Sequence, residues 1–292
     1  MLIRSLSGRT LAPILHSHGW AYLAPLEITD GGFRYPMLLG PKLPAATEIT
    51  GLRSSIRIEA DRALRPAQKE RVRRAVKHML SIDFPLDEFT AVCKAKKASL
   101  LLRLARQGWG RMLCSPTFWE DAVKTLCTTN ASWGYTQKMC RSLCALLGKN
   151  TPSGLQTMPM PQDILAAGEQ VLSQDVGMGY RSRSLIELAE RAASGAVPWL
   201  FDPKRKPDAE EAEREIRSWH GFGMYATRHL LVLMGFHQYL PIDREVGTHL
   251  GIRKPGDRDS NLDSEHFDDW GKFRFTAYKL TRVAKGRNWI GD

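Results

Sequence analysis

Apolar and polar positions alternate along the first part of the chain in the way that short strands require. Residues 19–28 and 33–39 predict two strands, joined by a hairpin turn at Asp30-Gly31-Gly32. Residues 55–61 alternate with a period of two, which predicts a third, half-buried strand. A helix is predicted from Pro66 to Leu80, because proline suits a first helical position and apolar residues then recur at helical spacing. Strands followed by a helix predict a small α+β unit.

Helical periodicity replaces this alternation from Leu86 onwards. Thr117 and Glu120 form a capping-box pattern at the start of one helix, which ends in the polar run 128–132. Further helices are predicted over 139–148, 164–172, 181–193 and 270–280, and loops over 149–161 and 253–264. The larger part of the chain is therefore predicted to be all α.

Composition supports this division and narrows the partners. The chain has 292 residues, of which 43% are hydrophobic, enough for a sizeable core. We predict a mainly α protein with a small N-terminal α+β domain at residues 1–84 and a helical domain at residues 85–292. Forty-two Lys and Arg against 31 Asp and Glu give a net charge of +11, which favours a polyanion partner. No apolar run approaches the ~20 residues that cross a bilayer, so we expect no membrane partner, and we identify no targeting signal.

The cysteines and histidines do not predict a metal site. The five cysteines, at positions 93, 114, 127, 140 and 144, include no Cys-x-x-Cys pair. Cys140 and Cys144 are one helical turn apart beside leucines, so we expect them to fill a reduced apolar core. The eight histidines lack ligand spacing with any acid or cysteine.

The stretch from Ile216 to Gly251 organises the second half of the chain. It predicts a helix, a tight turn at Gly221-Phe222-Gly223, a second helix, and then Asp243 at the start of a third helix. We expect both glycines to need positive φ and a bare backbone. The free N–H groups at the start of the second helix, at Met224 and Tyr225, would then bind a phosphate. The glycines alone also fit an ordinary pair of antiparallel helices.

Five residues of this stretch resemble the signature of the helix-hairpin-helix DNA glycosylase superfamily: Gly221, Gly223, Ala226, Pro241 and Asp243. Residues 176–183 and 118–148 are similar to further segments of its 8-oxoguanine and alkylpurine branch. That branch carries a small antiparallel-sheet domain before the helices. The resemblance implies a base-excision-repair DNA glycosylase, a hydrolase that flips a damaged base, here a purine, out of double-stranded DNA.

The resemblance makes Asp243 the catalytic residue. Its carboxylate would stabilise positive charge on the sugar and direct water at it. Without the resemblance, Asp243 is equally suited to be the N-cap of the helix that follows. Superfamily members that also cleave the strand place a lysine where this chain has Tyr225. No lysine occurs over 207–253, although Lys272 and Lys279 follow, so we expect a monofunctional glycosylase.

The resemblance also assigns residues that contact DNA. Asn130 occupies the position from which a side chain fills the gap left by the flipped base; its alternative role is to end a helix. Tyr225, His229 and Tyr278 are the candidates for the base pocket. An ordinary packed aromatic is the alternative for Tyr278, and a partly exposed polar residue is the alternative for His229.

Expectations about cofactors come from the same resemblance. Main-chain carbonyls of Arg217, Trp219 and Phe222 would hold a monovalent cation, Na⁺ or K⁺, at the hairpin. Because no cysteine follows Cys144, we expect no iron–sulfur cluster, and we expect no other cofactor. We expect a monomer, located in the cytoplasm with the nucleoid in a bacterium, or in the nucleus of a eukaryote.

Two other classes of protein fit part of the pattern. A non-catalytic helix-hairpin-helix module would bind DNA through backbone phosphates and would have no use for an acid beside the sugar. A helical scaffold with incidental basic charge would show no salt-dependent affinity for DNA. Asp243 therefore distinguishes the glycosylase hypothesis from both alternatives.

Overall fold

The computed structural model describes residues 1–4, 8–40, 42–252 and 265–285; the predicted loop at 253–264 lies outside these ranges. Its strands are β1 (Leu2–Ile3), β2 (Glu27–Thr29), β3 (Gly32–Leu38), β4 (Pro44–Gly51) and β5 (Ile56–Ala60). They form one antiparallel sheet in the order β1-β5-β4-β3-β2. β2 and β3 pair with Thr29 opposite Gly32, so the predicted hairpin is confirmed, as are the strands over 33–39 and 55–61.

The strand predicted over 19–28 is wrong in its first part. Gly19–Tyr22 forms a 3₁₀ turn, and β2 begins only at Glu27. In a strand Trp20 and Tyr22 would lie on the same face, but Trp20 is 2% exposed and Tyr22 is 37% exposed. The turn lets the Trp20 indole donate a hydrogen bond to Asp121 Oδ1 at 2.7 Å. This tertiary contact outweighs the local strand pattern.

Helices make up the rest of the described chain. The N-terminal part contains α1 (Gly8–Leu15) and α2 (Pro66–Met79), and the predicted helix at 66–80 is thus confirmed. The following helices are α3 (Leu86–Ala95), α4 (Ser99–Arg106), α5 (Phe118–Thr128), α6 (Trp133–Leu147), α7 (Pro161–Gln170), α8 (Arg181–Ala193), α9 (Ala209–Arg217), α10 (Met224–Leu233), α11 (Arg244–Leu250) and α12 (Arg274–Ala284). None of these described helices is long and apolar enough to span a bilayer.

Short polar side chains set the ends of α5, as the sequence predicts. The Thr117 hydroxyl accepts a hydrogen bond from the Glu120 amide at 3.3 Å and so caps the first turn. At the other end, the hydroxyls of Thr128 and Thr129 donate to the carbonyls of Thr125 and Leu126 at 2.7 and 2.8 Å. These bonds compete with helix continuation and release the chain into the turn before α6.

One cluster of buried apolar side chains extends from the sheet to the hairpin helices. Ile49 and Ile58 contribute to it from the sheet, Val76 from α2, Leu126 from α5 and Leu230 from α10, and each is at most 1% exposed. The five cysteines are buried and free, in agreement with the predicted reduced core. Because sheet and helices share this core, residues near the N-terminus can be positioned rigidly against the hairpin.

Buried polar groups also join the sheet to α5. Tyr35 on β3 donates to Glu120 Oε2 at 2.5 Å and accepts from Lys124 Nζ at 3.1 Å. Asp121 Oδ1 accepts from the Ser115 amide at 2.8 Å, in addition to the Trp20 indole. Burial raises the pKa of Glu120 to about 7. Removing one member of such a network would leave a charge unpaired in the core, at a cost of roughly 3–5 kcal/mol.

Candidate active site

Gly221 shapes the hairpin between α9 and α10. Its φ is +84°, a left-handed conformation that favours glycine. A Cβ atom at this position would lie 2.7 Å from Ser184 Oγ and 3.0 Å from a methyl carbon of Leu126. The turn therefore packs directly against α8 and α5, and glycine is required here on both backbone and steric grounds.

Gly223 differs from the expectation that both hairpin glycines need positive φ. Its φ is −71°, an ordinary value for any residue, and it is the N-cap of α10. A Cβ atom here would have no described heavy atom within 4 Å. The reason for a glycine is therefore neither strain nor crowding within the chain. Its bare backbone leaves open space in front of the amides of Met224 and Tyr225, which are in the first turn of α10.

Asp243 is the N-cap of α11. Its Oδ1 accepts a hydrogen bond from the Val246 amide at 2.7 Å, so the capping alternative is correct as a description of its structural role. The side chain is half-buried, and the preceding Leu240 and Ile242 are 0% and 4% exposed. These two anchors fix the backbone before Asp243, so its carboxylate is held at a defined place at the start of α11.

Tyr225 and His229 lie one turn apart on the same side of α10. Their rings stack with centroids 5.5 Å apart and an interplanar angle of 21°. Tyr225 is half-buried, whereas His229 is only 6% exposed. The alternative of a partly exposed His229 is therefore wrong. Burial lowers the pKa of His229 to about 3, with a further contribution from Lys279, so its imidazole is neutral at neutral pH.

Tyr278, the third candidate for the base pocket, lies on α12 in a different group of rings. Its ring is 0% exposed and contacts His249 of α11 edge-on, with centroids 5.9 Å apart. Arg282 Nη1 donates a hydrogen bond to the Tyr278 hydroxyl at 3.3 Å. Tyr278 therefore has the packing expected of a core aromatic, and it joins α12 to the helix that Asp243 caps.

Asn130 follows α5 and lies on the surface. Its φ of +48° is the left-handed conformation that commonly ends a helix, as the capping alternative predicts. Its side chain is nevertheless exposed, with Nδ2 3.5 Å from the hydroxyl of Tyr180. The Asn130 carbonyl accepts from Arg181 Nη2 at 3.0 Å. The exposed amide is therefore presented by a firmly held loop.

Sequence analysis missed the roles of Tyr180 and Arg181, although both lie in the segment 176–183. Arg181 is 4% exposed, and its Nε also donates to the Thr129 carbonyl at 2.9 Å. The guanidinium stacks on the Tyr180 ring at 4.6 Å. Tyr180 itself is 65% exposed, the most exposed large apolar side chain among the described residues. A buried cation thus holds both Asn130 and an exposed aromatic ring on one surface.

A histidine from the N-terminal part, His18, also reaches this region and was not predicted. Its Nε2 lies 3.0 Å from Nε2 of His229, and its Nδ1 lies 3.1 Å from the carbonyl oxygen of Leu113. The two histidines are 211 positions apart in the chain. No local pattern connects residues at such a separation, and only the packed fold brings them together.

Comparisons with known proteins agree with this geometry. No family model matches the sequence, and no curated protein sequence matches it. Among solved structures, the 3-methyladenine DNA glycosylase from Archaeoglobus fulgidus matches with a TM-score of 0.71 and 17% identity over 98% of both chains. The Clostridium acetobutylicum 8-oxoguanine glycosylase/lyase was solved with double-stranded DNA containing cytosine opposite 8-oxoguanine. It matches with a TM-score of 0.70 and 13% identity, over 98% of this chain and 96% of that chain.

The chain has the helix-hairpin-helix DNA glycosylase fold. The two similar structures differ in activity, since one is described as a glycosylase and the other as a glycosylase/lyase. In this chain the residue two positions after Gly223 is Tyr225, and the nearest lysines along the sequence belong to other elements.

Two lysines near the end of this glycosylase fold have contrasting surroundings. Lys272 Nζ forms an exposed ion pair with Glu88 Oε2 of α3 at 2.5 Å. Lys279 on α12 is 4% exposed, and burial lowers its pKa well below the usual range. Its amine is therefore largely neutral at neutral pH, which is the protonation state that a nucleophilic lysine needs.

The carbonyls expected to hold a monovalent cation in a glycosylase fold lie around the hairpin turn. The Trp219 carbonyl accepts from the Phe222 amide at 3.1 Å, and the Phe222 carbonyl accepts from the Thr227 hydroxyl at 3.4 Å. A carbonyl oxygen has two lone pairs, so both groups retain capacity for a cation. The described residues contain no cluster of three or more His, Cys, Asp or Glu side chains suited to a metal ion.

Proposed function

We propose that this protein is a DNA glycosylase that hydrolyses the N-glycosidic bond of a damaged purine flipped out of duplex DNA. The observation that carries the proposal is the half-buried carboxylate of Asp243, fixed at the start of α11 directly after the hairpin of a glycosylase fold. The net charge of +11 supports a polyanionic substrate. A pure DNA-binding module would gain nothing from an acid held at this place.

Phosphate binding at the hairpin would position the strand. The open space at Gly223 allows a phosphate to approach the first-turn amides of α10, which have no acceptor within a helix. Such a contact is independent of base sequence and fixes the register of the sugar relative to Asp243.

Asp243 would then act on the sugar of the extruded nucleotide. As the bond between C1′ and the base nitrogen breaks, the base leaves with the electron pair and positive charge develops on the sugar. The carboxylate stabilises that charge and orients a water, which adds hydroxide to C1′ and gives up a proton. The products are a free base and an intact strand with an abasic site.

Asn130 and Tyr180 would occupy the duplex at the place the base vacates. Flipping a base costs a few kcal/mol of stacking and pairing, so groups that fill the gap favour the extruded state. The Asn130 amide can hydrogen bond to the unpaired opposite base, and the exposed Tyr180 ring can stack on a neighbouring base.

A panel of duplexes, each holding one modified base, tests the proposed function. We expect the wild-type protein to release at least one damaged purine, measured by alkaline cleavage of the resulting abasic strand. Asp243→Asn should abolish release and keep duplex affinity within a few-fold. Salt-dependent DNA binding with no release from any purine lesion would instead support the non-catalytic module.

Monofunctional action makes a separate prediction for product analysis. Tyr225 cannot form a Schiff base, and Lys272 is engaged with Glu88 on the surface. Borohydride added during turnover should therefore trap no covalent protein–DNA adduct, and strand cleavage should appear only after alkali. Lys279→Met is the decisive control, because Lys279 is the buried lysine with a lowered pKa. A stoichiometric adduct that disappears in Lys279→Met would show that this lysine is the nucleophile and that the enzyme is bifunctional.

A monovalent cation at the hairpin is also part of the proposal. The carbonyls of Arg217, Trp219 and Phe222 would bind Na⁺ or K⁺, whose charge would attract the same phosphate as the α10 amides. Replacing K⁺ by tetramethylammonium at constant ionic strength should then weaken binding to undamaged duplex. Equal affinity in the two salts would remove the cation from the proposal.

A further inference from the structure

The buried pair of His18 and His229 has a hydrogen-bond polarity that the structure determines. The Leu113 carbonyl only accepts hydrogen bonds, so His18 Nδ1, 3.1 Å away, carries a proton. Burial is the largest cause that lowers the pKa of both histidines below 6.5, and each ring is therefore neutral with one proton. His18 Nε2 is then an acceptor, and His229 Nε2, 3.0 Å away, must donate to it.

This polarity leaves His229 Nδ1 with a lone pair. The atom is buried and has no hydrogen-bond partner among the described residues. An acceptor left without a donor costs roughly 1–3 kcal/mol in a protein interior, so the arrangement is one that a bound donor would relieve. The neutral tautomer admits only a donor at this atom.

Aromatic rings hold both imidazoles in place. Trp20 packs on His18 with centroids 4.1 Å apart and contacts His229 edge-on at 5.1 Å. Tyr225 lies flat on His229, and the Leu113 amide donates to Ser17 Oγ at 2.9 Å. The acceptor is thus fixed one helical turn behind Tyr225, beside the hairpin where the proposed function puts the extruded nucleotide.

An acceptor distinguishes a lesion from an undamaged purine only if damage creates the N–H that it binds. In adenine and guanine, N7 is itself an acceptor, so it would oppose the lone pair of His229. Oxidation at C8 converts N7 into an N–H donor. Alkylation of a ring nitrogen replaces a lone pair by an alkyl group and creates no such donor.

We propose that His18 fixes the tautomer of His229 so that His229 Nδ1 accepts a hydrogen bond from the N7–H of an extruded 8-oxopurine. The inference rests on the proposed glycosylase function and specifies its substrate class as oxidised rather than alkylated purines. His18 acts as a positioning residue, because it contacts His229 and not the base.

Nuclear magnetic resonance of protein labelled with ¹⁵N at histidine tests the tautomers directly. In the free protein, His18 should carry its proton on Nδ1 and His229 on Nε2. A 2′-fluoro-8-oxodeoxyguanosine duplex, whose glycosidic bond resists cleavage, should shift His229 Nδ1 as an acceptor shifts when it becomes hydrogen-bonded. The matching 2′-fluorodeoxyguanosine duplex should not. A proton on His229 Nδ1, or equal spectra with the two duplexes, would overturn the inference.

Single-turnover excision tests selectivity with a matched pair of bases, 8-oxoguanine and 7-methyl-8-oxoguanine. Methylation removes the N7–H, so wild-type excision should slow on the order of 10- to 100-fold. His18→Phe should lose most of this preference. His18→Gln should retain it, because its amide can donate to Leu113 and accept from His229. His237→Asn, at another buried histidine, is the control and should behave as wild type.

The outcomes separate this inference from the proposed function. Release of alkylated purines without release of 8-oxopurines would overturn the inference and leave the glycosylase intact. Equal excision of the methylated and unmethylated 8-oxoguanine would do the same. If no base is released at all, the proposed function fails, and the resonance of His229 Nδ1 in the duplex complex still decides whether the acceptor binds the base. Should His18→Phe prove unfolded by its melting curve, the wild-type comparison of the two bases remains sufficient.

Discussion

Gly221 and Gly223 are two positions apart in the hairpin, yet their backbones differ in kind. Gly221 needs a left-handed conformation and has no room for a Cβ atom, whereas Gly223 has an ordinary φ and open space around it. Sequence alone does not separate these cases, because both appear as glycine in a turn. The difference makes the pair a matched test of structural and ligand-binding roles.

Gly223→Val should fold normally and bind DNA less well. The valine side chain meets no described atom of the protein but fills the space through which a phosphate would approach the α10 amides. We expect roughly 10-fold weaker binding, the order of one lost charged hydrogen bond, for damaged and undamaged duplexes alike. Fluorescence anisotropy with both duplexes measures it, and unchanged affinity in a folded variant would remove the hairpin as phosphate anchor.

Gly221→Val serves as the opposite control. Positive φ costs a β-branched residue roughly 1–3 kcal/mol, and the contacts with Ser184 and Leu126 add to that. Its melting temperature should fall clearly below that of Gly223→Val. Equal melting temperatures for the two variants would contradict the assignment of strain to Gly221 alone.

Individual functional residues were predictable where chemistry and spacing coincide locally. Asp243 follows the hairpin at a spacing that resembles a known signature, and Asn130 follows a helix that ends in threonines. His18 lacked any such signal, because its partner is 211 positions away. The burial of His229 was also not predictable, since it depends on Trp20 and Tyr225 packing around it.

At the scale of elements, α11 begins with a residue that has two roles. Asp243 caps the helix through its hydrogen bond with the Val246 amide, and the proposed chemistry uses its charge. Asparagine caps a helix about as well as aspartate but carries no charge, whereas alanine does neither. The two roles can therefore be separated by substitution.

Asp243→Asn should keep the melting temperature of wild type and lose base excision, whereas Asp243→Ala should lose both excision and about 1 kcal/mol of stability. Denaturant unfolding gives the stability difference, and single-turnover assays on the active lesion give the rates. If Asn is as destabilising as Ala, the charge of Asp243 serves the fold; if Asn still excises the base, another residue performs the chemistry.

Element prediction succeeded where the periodicity was strong. The helices α5, α8 and α10 have clear apolar faces or capping residues, and their existence was predicted. Two elements were missed: β4 contains Pro44 and consecutive alanines, which favour strands weakly, and α1 contains Pro13. β4 forms because β3 and β5 pair on both of its sides, a context that its own sequence does not contain.

At the scale of the whole molecule, several neutral histidines lie in the core. His237 is 5% exposed, and its Nδ1 is 2.7 Å from the Thr276 hydroxyl. Burial, followed by the nearby Lys279 and Lys206, lowers the pKa of His237 to about 3. Its usual value in an unfolded chain is about 6.5. The folded state therefore excludes a proton that the unfolded state binds between these two values.

The stability contributed by the neutral form of His237 is fully present above pH 6.5 and is lost as the pH falls towards 3. His237→Asn can keep the hydrogen bond with Thr276 but cannot bind a proton. Between pH 4 and 6, unfolding free energy should depend on pH less steeply in the variant, by up to one proton, or about 1.4 kcal/mol per pH unit. Denaturant titrations across this range measure both slopes. Parallel slopes would mean that His237 is already protonated in the folded protein.

The long separation between His18 and His229 has a consequence for how such an enzyme can diverge. The phosphate anchor and Asp243 lie within one continuous stretch, 221–243, while the group that orients His229 comes from the first twenty residues. Changes in the N-terminal segment can therefore alter which base is accepted and leave the bond-breaking residues untouched. Recognition and catalysis are thus inherited on separate parts of the chain, so one lineage can acquire a new lesion while its hairpin stays the same.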